Sequence, residues 1–327
     1  LRAFDAFNPH SELIRAARIN GVTTAVSYPS GGVLAGQPLV ANLAGWTVEE
    51  MALRPSVGLF VNFPRGVGGQ TFDAATFSLR RSSDTEAKKA QEKKLDEIRS
   101  LLDAARVYGK AKTARATDRS LPLFDHDEKL EALQPVVAGS LLVIMQTEDF
   151  RDIKRAVEFC ESERLKMILV TGGRFGTGRI GEVAAFLAQK RIPVIMLSMY
   201  SLPQFEDDRY DLPQEVPGVF AKAGVRFAFG MADSAQSKDL PYQAAMAVAY
   251  GTLSREDALR SLTIWPAEIW GVADRIGSIE VGKLANLVVA TGDVMEPMTD
   301  VRHVLIAGRE VSLTSRQTEL YETFKRR

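Results

Sequence analysis

The chain has 327 residues, 46% of them hydrophobic, which allows a large core and fits one large α/β barrel or two modest domains. Lys plus Arg and Asp plus Glu are equal at 41 each, which removes the electrostatic case for nucleic acid or an anionic membrane as the main partner. One cysteine, Cys160, excludes an intramolecular disulfide framework and a thiolate metal cluster, and no apolar run approaches the roughly 18 residues that span a bilayer, so a soluble protein is expected.

The chain opens on Leu1, and Asn8-Pro9-His10-Ser11-Glu12-Leu13-Ile14 already has the pattern of a turn and a helix start in mid-fold. The compartment, cytoplasmic, periplasmic or secreted, is therefore left open. Leu13, Ile14 and Ala17 predict a helix closed by Asn20-Gly21, then a strand Val22 to Tyr28 ending in Pro29-Ser30-Gly31-Gly32. A second strand, Val57 to Phe63, ends in Pro64-Arg65-Gly66-Val67-Gly68-Gly69. Neither glycine loop has the spacing of a dinucleotide or phosphate-loop fingerprint.

Ser83 to Ala116 predicts a long amphipathic helix, with Leu95, Ile98, Leu101 and Leu102 apolar and its many charges forming a solvated face. His126, between acids in the turn Asp118 to Asp127, fits a surface or capping residue. From Leu133 strands and helices alternate: strand Leu141 to Met145, a helix through Cys160, strand Met167 to Val170, helix Ile180 to Gln189, strand Pro193 to Leu197. A loop Ser198 to Val216, helix Pro217 to Ala223 and strand Val225 to Phe229 follow. Such βα units argue for parallel strands with outer helices. Helices Tyr242 to Tyr250 and Ser254 to Leu262 come next. Short strands then run over Ala285 to Ala290 and Val301 to Ile306, with Gly308 at the bend of a hairpin.

Asp233 is the focus of this pattern. Gly230 ends the strand before it, so its carboxylate lies at the C-terminal mouth of a strand, the face where a (β/α) barrel assembles its chemistry. Spacing alone slightly favours capping, with Asp233 and Ser234 ahead of the helix near Leu240.

Thr263-Ile264-Trp265-Pro266-Ala267-Glu268-Ile269-Trp270-Gly271-Val272, the run Gly277 to Val289 and Val304-Leu305-Ile306-Ala307-Gly308-Arg309 resemble the end of amidohydrolase superfamily proteins, in the imidazolonepropionase-like branch. Gly21-Val22-Thr23-Thr24 and Gly36-Gln37 resemble that family's early barrel. The resemblance implies an α/β fold with a distorted TIM-like (β/α) barrel over residues 1–265, incomplete at its N-terminus. Over 266–327 it implies the C-terminal strands of a composite β-sandwich, built from both chain ends, and a tail helix. It also implies one or two divalent metals, zinc among them, on a His-x-His at the first strand, often a carboxylated lysine at the fourth, histidines at the fifth and sixth, and an aspartate at the eighth.

Asp233 matches the last of these. Gln146 stands at the fifth-strand position and Gly172 at the sixth, and no His-x-His occurs. A chain that begins downstream of the first strand accounts for the missing pair but not for Gln146 or Gly172. Glutamine offers zinc a neutral amide oxygen and glycine offers no side chain.

The resemblance implies hydrolysis of a C–N bond, in a cyclic or linear amide, of a small molecule. Asp233 would serve as metal ligand and as the group that takes the water proton and delivers it to the leaving nitrogen. Gln146, Arg174, Tyr200 and Gln37, at or near strand ends, would orient substrate. The alternative is a metal-free, catalytically inactive binding or scaffold protein on the same fold, holding a small ligand or a partner subunit. Assembly into a homo-oligomer stays open. His10, His126 and His303 lie at no strand end, so no Ser-His-Asp arrangement forms, and Met196, Met199 and Phe205 read as packing residues.

Overall fold

Short apolar runs closed by glycine or proline become strands here, and the amphipathic stretches between them become helices, in two units. The computed structural model describes residues 1–73, 77–122, 125–173, 175, 178–197, 199–201 and 208–325. One unit comprises Leu1–Ser30, Gly36–Val57 and Ile168–Arg327, the other Gly31–Ala35 and Gly58–Met167.

In the first unit the strands Met167–Thr171, Val194–Leu197 and Phe227–Gly230 are parallel neighbours, with Met196 opposite Thr171 and Leu197 opposite Gly230. They are buried almost throughout, which is why they read as unbroken apolar runs instead of alternating ones. Helices Ile180–Lys190 and Leu212–Lys222 lie between them in sequence. The second begins earlier than the sequence predicts. Pro213 occupies its first turn, and Pro217, the expected N-terminal signal, sits inside, where it gives up one backbone bond while its ring is buried.

The same unit contains two antiparallel three-stranded sheets. Thr24–Ser27, Leu39–Asn42 and Ala52–Arg54 form one, and Leu287–Ala290, Val301–Ile306 and Arg309–Glu310 the other. Leu39, Ala41, Leu43 and Met51 share a core with Val304 and Ile306, and with Ala3, Ile14 and Ala17 from the N-terminal helices. Asn286 ties the two ends of the chain: its amide donates to Thr24 Oγ1 at 3.1 Å and Asn42 Oδ1 at 2.7 Å, and its carbonyl oxygen accepts from Ala307 N at 2.8 Å. The strand expected at Val22 to Tyr28 therefore forms, but it joins an antiparallel sheet, not the parallel set. Its half-buried residues have the exposure of a one-sided sheet. The hairpin at Gly308 forms as expected, turning through Ala307 at φ 50° and Gly308 at φ 79°.

In the second unit Gly58–Asn62 and Leu142–Gln146 pair in parallel, with Asn62 opposite Gln146. Asp84–Thr117 is a single helix of 34 residues opened by a capping box in which Ser83 and Glu86 exchange side-chain bonds to each other's backbone. The helix Glu128–Val137 packs antiparallel on it, through the Gln134 amide donating to Ala105 O at 2.9 Å. A hairpin of Gly69–Asp73 and Ser78–Ser82, which the periodicity did not predict, precedes the long helix.

Candidate functional site

The register of the three parallel strands in the first unit brings the residues after Thr171, Leu197 and Gly230 to one edge. Gly172, Tyr200 and Asp233 follow those strands. Met199 is fully buried, and its backbone is held on both sides: N donates to Gln243 Oε1 at 2.7 Å, and O accepts from Gln214 Nε2 at 2.6 Å. The Gln243 amide also donates to the sulfur of Met231, which links the segments that follow two neighbouring strands. Sequence reasoning missed both glutamines. Their signal is a lone amide on the buried side of an apolar helix start, Leu212-Pro213-Gln214 and Leu240-Pro241-Tyr242-Gln243.

Asp233 is exposed, and its Oδ1 accepts from Ala235 N at 2.9 Å, capping the 3-10 turn Ser234–Asp239. Among the described residues its Oδ2 takes no hydrogen bond. Tyr200 is 45% exposed, and partial burial, with Asp239 and Tyr242 nearby, pushes its phenol above the ordinary value, so the hydroxyl keeps its proton and can donate a hydrogen bond. Arg174 and Phe205 lie outside the described residues. Gln37 is buried, its N donating to Leu1 O at 3.0 Å and its O accepting from Ala3 N at 2.8 Å, so the backbone of this expected substrate contact is tied to the start of the chain. Met196 and Met199 are fully buried packing residues.

In the second unit Gln146 ends its strand half-buried, and its carbonyl accepts from Phe63 N at 3.0 Å. Beside it a buried carboxylate organises the loop that follows Asn62. Asp152, 3% exposed, accepts from Gly66 N at 3.0 and 3.2 Å and from Gln91 Nε2 at 2.8 Å, and the same Gln91 nitrogen donates to Pro64 O at 2.6 Å. Burial raises the Asp152 pKa, against the lowering by Gln91 and the Gly66 N–H. A Cβ on Gly66 would come within 2.4 Å of Gln91 Oε1, so any larger residue there displaces the Gln91 amide. Asp152 could have been singled out by its place on the apolar face with Ile153 and Ala156.

Among the described residues no three of His, Cys, Asp and Glu converge as metal ligands. His10 packs edge-on against Trp46 with ring centroids 4.8 Å apart, His126 Nδ1 lies 3.4 Å from the Tyr108 hydroxyl, and His303 Nδ1 lies 2.6 Å from Glu310. Asp233 with Gln146 and Gly172 does not make up the three or four donors that hold zinc. Cys160 is buried and its thiol is pushed up to about 12, an inert packing group.

Residues 214–311 match the model of the Amidohydrolase family, a stretch that includes Gln214, Asp233, Gln243 and Asn286. The structure is similar to that of an amidohydrolase from Thermotoga maritima MSB8, at 26% identity over 95% of this chain and 77% of that one, with a TM-score of 0.78. It also aligns with a prolidase complexed with N-methylphosphonate-L-proline, at 20% identity over 57% of this chain and 50% of that one, with a TM-score of 0.44. No curated protein matches the chain.

Proposed function

We propose that the chain is a hydrolase of the amidohydrolase type, in the imidazolonepropionase-like branch, acting on the C–N bond of a small cyclic or linear amide from a TIM-like barrel. The observation that carries this reading is the family match over 214–311, which contains the strand Phe227–Gly230 and Asp233 at its mouth. The likeness to the Thermotoga maritima amidohydrolase supports it. In this reading the exposed Asp233 carboxylate accepts the proton of the attacking water through Oδ2 and returns it to the leaving nitrogen as the C–N bond breaks, and the Tyr200 phenol on the same edge donates a hydrogen bond to the polarised carbonyl. No step is routed through a metal, because the donors present do not fit one.

A second reading has its own support. Gln146 and Gly172, standing where the resemblance implies histidines, favour a metal-free binding or scaffold protein on the amidohydrolase fold. The two separate in one experiment: incubation with a panel of cyclic imides, lactams and N-acyl amino acids, following ring opening or amine release alongside the melting temperature. Turnover supports the hydrolase. Saturable melting shifts with no turnover across the panel support the binding protein.

A further inference from the structure

The helix Asp84–Thr117 runs about 51 Å at 1.5 Å per residue, and none of its residues after Tyr108 is buried. That overhang is met by the turn that follows it and by the helix Glu128–Val137. Together they border an open cleft of about 600 Å³ lined by Tyr108, Lys112, Arg115, Arg119, His126 and Glu131. Lys112 pairs with Glu131. Arg115 donates to the Leu121 carbonyl, and neither Arg115 nor Arg119 makes an ion pair among the described residues. Two nearby acids are turned to other donors: Asp118 accepts from Ser120 N and Oγ at 2.9 and 2.7 Å, and Asp127 caps the following helix through Lys129 N and Leu130 N.

The cleft lining itself carries the cations Lys112, Arg115 and Arg119 and the carboxylate Glu131, with the charged Asp118 and Asp127 beside it in the chain, and its Tyr108 hydroxyl lies 3.4 Å from His126 Nδ1. Basic residues at a helix C-terminus answer its dipole, which accounts for Arg115. Arg119 lies beyond the C-cap Asp118, and the dipole gives no reason for these cations to converge on a concavity. Two guanidinium forks without an ion pair among the described residues, converging on one concavity, match the tetrahedral oxygens of a phosphate group.

We propose that this cleft binds a phosphate group, free or as the monoester of a small molecule. The site stands apart from the hydrolase reading and does not depend on it. The test is calorimetric titration of the full chain with inorganic phosphate and with glycerol 3-phosphate, repeated on Arg119→Glu and on the milder Arg119→Gln, with melting curves for each. The expected result is saturable binding, weakened on the order of tenfold in Arg119→Glu and by added salt, with melting unchanged at this exposed position. Tighter binding of the ester assigns a phosphomonoester ligand, and equal binding assigns the phosphate group alone. Should Arg119→Glu disturb melting, Arg119→Gln carries the comparison. No saturable binding of either probe, or equal affinity in the wild type and the well-folded variant, overturns the proposal.

Discussion

At the scale of single residues, Asp152 is where burial and charge conflict most sharply. Its carboxylate is buried and its pKa raised by that burial, so the folded protein holds this proton more tightly than the unfolded chain does. The contribution to stability is then complete below the ordinary carboxylate range and is lost as pH rises through the raised folded value. In Asp152→Asn that loss should vanish: urea midpoints of the variant should be flatter than wild type across this window, and parallel slopes would contradict the assignment. Asp152→Ala should instead leave the Gly66 N–H without an acceptor and the Gln91 amide with Pro64 O alone, at about 1–3 kcal/mol for the orphaned N–H. The sequence showed Asp233 as an acid at a strand mouth and slightly favoured its capping role. The structure realises the cap through Ala235 N. The burial of Asp152 and Gln37 was not legible, because burial is a property of the assembled core, which a local pattern of types does not contain.

At the scale of elements, the edge after the three parallel strands is held by side chains from helices later in the sequence. Replacing Gln243 with leucine removes the acceptor for the buried Met199 N–H and should cost about 1–3 kcal/mol, with faster hydrogen exchange at Met199 as the direct readout. Unchanged exchange there would show that the amide is not what fixes the segment. Most strands and helices were legible: the predicted strands near Met167, Pro193 and Val225 and the long helix from Ser83 all appear within a residue or two. These elements have long or fully buried apolar patterns, so local chemistry decides them. The start of Leu212–Lys222 was not legible, because two prolines five residues or fewer apart both carry an N-terminal signal and only packing of Pro217 and Phe220 selects between them. The glutamine clamps were hidden for a related reason: a lone amide in an apolar helix start has no partner until the neighbouring strand end is in place.

At the scale of the whole molecule, the ends of the chain meet in one unit, and Asn286 bridges to Asn42 across 244 positions. Asn286→Ala should leave the Ala307 N–H and the Thr24 and Asn42 side chains short of partners and lower the melting temperature by a few degrees. A variant that melts with wild type would remove Asn286 as the tie. This closure was only partly legible, since the C-terminal strands and hairpin had local turn chemistry while their antiparallel neighbours from the N-terminal half read as the start of a parallel series. The central claim is that Asp233, besides capping its turn, carries the proton in amide hydrolysis, and the comparison of kcat/KM between wild type and Asp233→Asn on a hydrolysed amide tests it most directly. Asparagine caps as well as aspartate, so melting should stay unchanged while kcat/KM falls about 10²- to 10⁴-fold. Full activity in a variant of unchanged stability would leave Asp233 a cap and nothing more, and would contradict the account.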